Sequence, residues 1–76
     1  MDDLDLLVER DVPTLTGREL DALRCAAAGL TADMTARVFC KSRATVTDQL
    51  DSARLKLAAK TKTQAVASAM RHGLIP

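Results

Sequence analysis

Three times between Thr16 and Ser42 a hydroxyl side chain stands just ahead of a run whose apolar residues recur every three or four positions. Nowhere do apolar and polar residues alternate as a half-buried strand requires. That punctuation restricts the chain to short, separately capped helices. Thr16 followed by Glu19 is a capping box: the hydroxyl can accept from the N–H of residue 19 while the carboxylate reaches back to the N–H of Thr16. The first predicted helix, 17–28, turns Leu20, Leu23, Cys25 and Ala27 inward and stops at Gly29, which can take the left-handed conformation that ends a helix. Thr31 caps a second helix, 32–39, with Asp33 in the favourable first turn and Met34, Val38 and Phe39 as its inward stripe. Ser42 opens a third, 43–57, on which Val46, Leu50, Ala53 and Leu57 form one face. After a turn at 58–60, Thr61 or Lys62 begins a fourth, 62–72, with Ala65, Val66, Ala69 and Met70 inward and Gly73 as its stop. His72, near the end of that helix, is placed to complement the dipole.

The fold class read from this pattern is all-α, a four-helix domain over residues 14–76 preceded by an acidic arm over residues 1–13. A chain of 76 residues is one domain with a thin core and no room for a large enclosed active site. Its single aromatic is Phe39, so Ala, Leu and Val must fill that core, which again favours helices. The arm holds Asp2, Asp3, Asp5, Glu9 and Asp11 against Arg10, a balance of −4; the chain's net +1 therefore leaves +5 on the remainder. Such a remainder permits a nucleic-acid partner. Leu4, Leu7 and Val8 at helical spacing suit either a short helix packed on the body or a frayed tail closed by Pro13, and the sequence leaves both open.

Two cysteines, Cys25 and Cys40, with His72 as the sole histidine, do not make a zinc site, and both thiols are read as small core hydrophobes. The start Met1-Asp2-Asp3 is not that of a secretory leader, and no apolar stretch approaches the roughly 20 residues that span a bilayer. The expected setting is the reducing cytoplasm. No nucleophile–base pair, glycine-rich phosphate loop or pocketed carboxylate pair stands out, so no enzymatic activity, cofactor, metal or small-molecule ligand is expected.

Two short helices, 32–39 and 43–57, joined by a tight turn and backed by a third, have the layout of a helix-turn-helix. The residues sharpen this. Leu15-Thr16-Gly17-Arg18-Glu19, Ala27-Ala28-Gly29-Leu30-Thr31, Ser42-Arg43-Ala44-Thr45-Val46 with Leu50 in register, Lys56-Leu57, Thr63-Gln64-Ala65-Val66 and Gly73-Leu74-Ile75 follow one another without a gap. Over 15–75 the chain resembles the LuxR/GerE family of bacterial transcription regulators, and in a stand-alone form without a sensor domain.

The resemblance implies that the third helix enters the major groove of duplex DNA and that the fourth pairs two subunits. Thr47, Asp48, Gln49 and Asp51 would then face the bases, and Ser42, Arg43, Thr45, Arg54, Lys56, Lys60 and Lys62 the phosphates. Val66, Ala69 and Met70 are the candidates for a homodimer seam. The chain departs from the family pattern in three places. Thr45-Val46-Thr47-Asp48-Gln49 replaces Thr-Val-Lys-any-His, leaving no Lys or Arg between Arg43 and Arg54; Thr35 stands at an aliphatic core position; and Ala58-Ala59 replaces Gly-Val. The missing basic residue at position 47 and the five acids of the arm support an alternative reading: a repurposed fold that binds a protein through the arm and the acidic third helix, as an anti-activator or an accessory to RNA polymerase or another regulator.

Overall fold

The computed structural model describes residues 14–76, and the arm, with its helix-or-tail question, lies outside the described residues. Four helices follow: α1 (Gly17–Ala27), α2 (Ala32–Phe39), α3 (Arg43–Lys56) and α4 (Lys62–Arg71). Each begins at a hydroxyl. Thr16, Thr31, Ser42 and Thr61 accept from the backbone N–H groups of Glu19, Met34, Thr45 and Gln64, so each satisfies one donor that a helix start leaves orphaned. In α1 the box closes both ways, Glu19 N–H to Thr16 Oγ1 at 3.1 Å and Thr16 N–H to Glu19 Oε1 at 2.8 Å.

All four helices also end alike. A residue with positive φ turns the chain, and the N–H after it returns to the carbonyl five residues back: Leu30 to Cys25, Lys41 to Ala36, Ala59 to Arg54 and Leu74 to Ala69. Glycine takes the left-handed position at Gly29 (φ 89°) and Gly73 (φ 71°), but Cys40 (φ 55°) and Ala58 (φ 54°) take it with a side chain. No helix among the described residues is long and apolar enough to cross a membrane.

α3 is the hub: it packs on α1, α2 and α4, while α1 also meets α2 and α4. The main core joins Leu23, Ala53, Leu57, Ala59, Ala65, Ala69 and Ile75, with Leu15, Leu20, Leu50, Val66 and Leu74 half-buried around it. Alanine at so many of these sites lets the helix backbones approach closely. On α3, Val46, Ala53 and Leu57 are buried and Leu50 partly so, which is the stripe that the spacing predicts.

On α2 the predicted stripe is wrong. Met34 and Val38 face solvent and Phe39 is half-buried, whereas Thr35 and Ala36 are buried. An eight-residue helix is barely two turns, so its cap and its neighbours set its phase rather than its periodicity. Thr35 tolerates the interior because its hydroxyl donates to the Thr31 carbonyl at 2.9 Å. On α1, Ala27 is exposed and Ala22 takes the buried place beside Leu23. Neither thiol is a core residue: Cys25 is half-buried, and Cys40, in its left-handed turn, is exposed. On α4, Ala65 and Ala69 are inward but Met70 is 45% exposed.

Candidate nucleic-acid interface

Cys40, Lys41 and Ser42 are all that separate α2 from α3. The left-handed turn at Cys40 reverses the chain in one residue, and Ser42 starts the next helix by accepting from Thr45 N–H at 3.1 Å. With Val46, Leu50, Ala53 and Leu57 anchored inward, the opposite face of α3 carries Ala44, Thr47, Asp48, Asp51 and Leu55, all exposed. Of the four residues expected to face bases, three share this surface. Gln49 does not: it is half-buried on the flank of α3, with its amide oxygen buried and without a partner among the described residues.

The residues expected at phosphates divide further. Ser42 Oγ accepts from Thr45 N–H and lies 2.9 Å from Thr45 Oγ1, so the two hydroxyls share one hydrogen in holding the start of α3 and the other O–H stays free to donate. The N–H groups of Arg43 and Ala44, which a helix leaves without an internal acceptor, remain at that end. Arg43 reaches Asp33 of α2 at 3.7 Å, a loose and exposed pair worth little on its own. Arg54 is half-buried; it donates to the Ala59 carbonyl at 3.2 Å and lies 3.8 Å from Asp51, so it braces the turn after α3. Lys60 and Lys62 are exposed at the start of α4, and neither has an ion-pair partner among the described residues.

Lys56 is the clearest departure. Its ammonium donates to Glu19 Oε1 at 2.8 Å, tying the end of α3 to the start of α1. The Glu19 side chain is only 5% exposed, against 40% for Lys56. Burial pushes the Glu19 carboxyl up, but hydrogen bonds from Lys56, Ser52 and both the backbone and side chain of Thr16 outweigh it and hold the group at about 2, from an ordinary 4.5. The sequence marks Glu19 as half of a capping box; that it also receives Lys56 from 37 residues away has no sequence signal.

Comparison with known proteins decides the layout. The chain is 43% identical over 61 residues to the HTH-type quorum sensing-dependent transcriptional regulator VjbR of Brucella ovis, and equally so to the VjbR proteins of Brucella abortus and Brucella suis. The domain is a helix-turn-helix. The match covers 80% of this chain and 24% of each relative, so the chain spans about a quarter of the length of the curated relatives it matches. No family model matches the chain. In this helix-turn-helix α2 braces α3 from behind, and the outer face of α3 is left open by all three of its neighbours. Leu55, 68% exposed on that face, is a surface residue that the spacing of apolar positions does not single out.

Of the seam candidates on α4, Ala69 is fully buried within the domain and offers no surface. Val66 is half-buried, and Met70 borders a largely apolar cleft with Arg24, Ala27, Ala28, Ile75 and Pro76. Among the described residues no group of three or more His, Cys, Asp or Glu side chains is placed to hold a metal ion.

Proposed function

We propose that residues 14–76 form a LuxR/GerE-type reading domain of a transcription regulator, binding duplex DNA with α3 in the major groove. The observation that carries this reading is the outward face of α3, exposed along its length on a helix-turn-helix shared with a transcription regulator. A major groove about 12 Å wide admits one α-helix, and the N-terminal part of that helix meets base edges. Thr47, Asp48 and Asp51 then lie nearest the bases, with Gln49 at their margin. Lys60, Lys62, Arg43 and the N–H groups at the start of α3 serve the phosphates. Ser42, Thr45, Arg54 and Lys56 act by holding α3 in place.

A second copy joined along α4 supplies the symmetry of a paired site. Met70, Val66 and the apolar cleft beside them are the surface for it, and the two α3 helices would meet half-sites about one helical turn apart. Such a protein works in the cytoplasm.

Capture of sheared genomic DNA by the purified chain at physiological salt, followed by sequencing, tests this. The expected outcome is discrete peaks containing paired half-sites; flat recovery from a folded sample rejects it. One observation favours a second reading, a protein-binding module. Leu55 stands exposed one turn along α3 from Asp51 and two from Asp48, an apolar residue at the end of an acidic stretch that suits a protein partner better than a phosphate backbone. Under that reading Leu55→Lys abolishes partner binding, whereas a DNA-reading face gains affinity from the added charge.

A further inference from the structure

We propose that Asp48 makes the domain a cytosine reader: its carboxylate accepts the N4 amino hydrogen that cytosine presents in the major groove, at one fixed position of each half-site. The inference rests on the DNA-binding reading above and names the base that the same face selects.

The outer face of α3 offers few groups able to discriminate. Ala44 and Leu55 have no side-chain hydrogen-bonding atoms, and the Thr47 hydroxyl can donate or accept and so distinguishes little. Asp51 lies 3.8 Å from Arg54, whose guanidinium is itself turned back to the Ala59 carbonyl, so its charge is partly satisfied toward the body of the domain. Asp48 is exposed one turn beyond Thr45 and has neither an ion-pair nor a hydrogen-bond partner among the described residues. It is the carboxylate on this surface left to be satisfied from outside.

An ionised carboxylate can only accept. Guanine shows it two acceptors, O6 and N7, and thymine an acceptor and a methyl group, so both repel it or leave it unpaired. Adenine offers a donor at N6, but with the N7 acceptor beside it. Cytosine offers the N4 donor with C5–H on one side and only the O6 of its paired guanine on the other, whereas the adenine donor is flanked by acceptors on both sides, so cytosine meets the carboxylate with the least opposition. The negative charge also repels phosphates, so the residue contributes little to non-specific affinity and much to the choice of base.

Selection of binding sites by the whole chain from a randomised duplex library, at fixed salt, tests the assignment with the wild type and Asp48→Asn. The wild type is expected to enrich a half-site with one invariant cytosine. Asp48→Asn, whose amide can pair with adenine N6 and N7, shifts that position to adenine and leaves the others unchanged. Replacing the cytosine by N4-methylcytosine, which puts a methyl group where the donor was, weakens wild-type binding by roughly tenfold. The same replacement leaves Asp48→Ala unaffected. An unchanged consensus in Asp48→Asn, or wild-type indifference to N4-methylcytosine, overturns the cytosine assignment while leaving DNA binding intact. Recovery of no duplex by the folded wild type overturns the DNA-binding reading and this assignment with it. Asp48 is exposed, so both variants fold, and a melting curve matching wild type verifies it.

Discussion

Glu19 and Lys56 form the ion pair with the most deeply buried member among the described residues. The carboxylate accepts from the N–H of its own helix cap and from an ammonium at the far end of α3, and it does so almost out of contact with water. Removing the cation strands a buried charge, which costs more than the pair itself is worth. Lys56→Ala is expected to lower unfolding stability by about 1–3 kcal/mol, read by urea denaturation, and Glu19→Gln with Lys56→Gln to recover part of that loss. A fall in DNA affinity in Lys56→Ala would accordingly follow the fall in stability rather than the absence of a phosphate partner. The same pair sets an acid limit. Because the folded carboxyl titrates at about 2 and the unfolded one near 4.5, its stabilisation is complete above pH 4.5 and is lost as pH falls toward 2. Stability measured across that window should drop in the wild type and drop less in Glu19→Gln.

At the scale of the element, each helix here is short, and none of the four would persist alone in water. Caps and left-handed stops therefore matter disproportionately. Two of the stops are made by residues that dislike them: Cys40 and Ala58 carry a Cβ into a conformation that costs an L-residue roughly 1–2 kcal/mol. Ala58→Gly and Cys40→Gly should each raise the unfolding free energy by about 0.5–1 kcal/mol, the gain being trimmed by the larger entropy of glycine in the unfolded chain. Gly29→Ala, at φ 89°, should lower it by about 1 kcal/mol. Thermal melts of the three variants decide this, and an unchanged melt for Ala58→Gly would mean the turn relaxes on its own. The element scale is also where sequence reasoning worked best. Caps at Thr16, Thr31 and Ser42 and stops at Gly29 and Gly73 act over three to five residues, so their partners sit in the same short stretch of sequence. It failed on the face of α2, where two turns carry too little periodicity to fix a phase.

At the scale of the whole domain, the three helices around α3 leave one face of that helix open and gather the exposed lysines 60 and 62 at the start of α4. Every cation that neutralises a phosphate releases about one counterion, so deleting it removes that share of the salt dependence. Lys60→Glu with Lys62→Glu should therefore flatten the slope of log affinity against log salt by about 2 without changing the melting temperature. Retention of the full slope would place the phosphate-binding cations elsewhere on the domain. By itself the sequence determined the four helices of residues 14–76, their limits to within a residue or two, the turn that joins α2 to α3 and most of the face of α3 turned away from the core, because these follow from hydrogen bonds and apolar spacings over a few neighbouring residues. Only the tertiary structure decided which charges remained for a partner. Lys56 and Arg54 look in the sequence like any surface cations; packing α1 and the α3–α4 turn against them brought a carboxylate and a carbonyl within reach, and a buried acceptor holds a cation more firmly than solvent does.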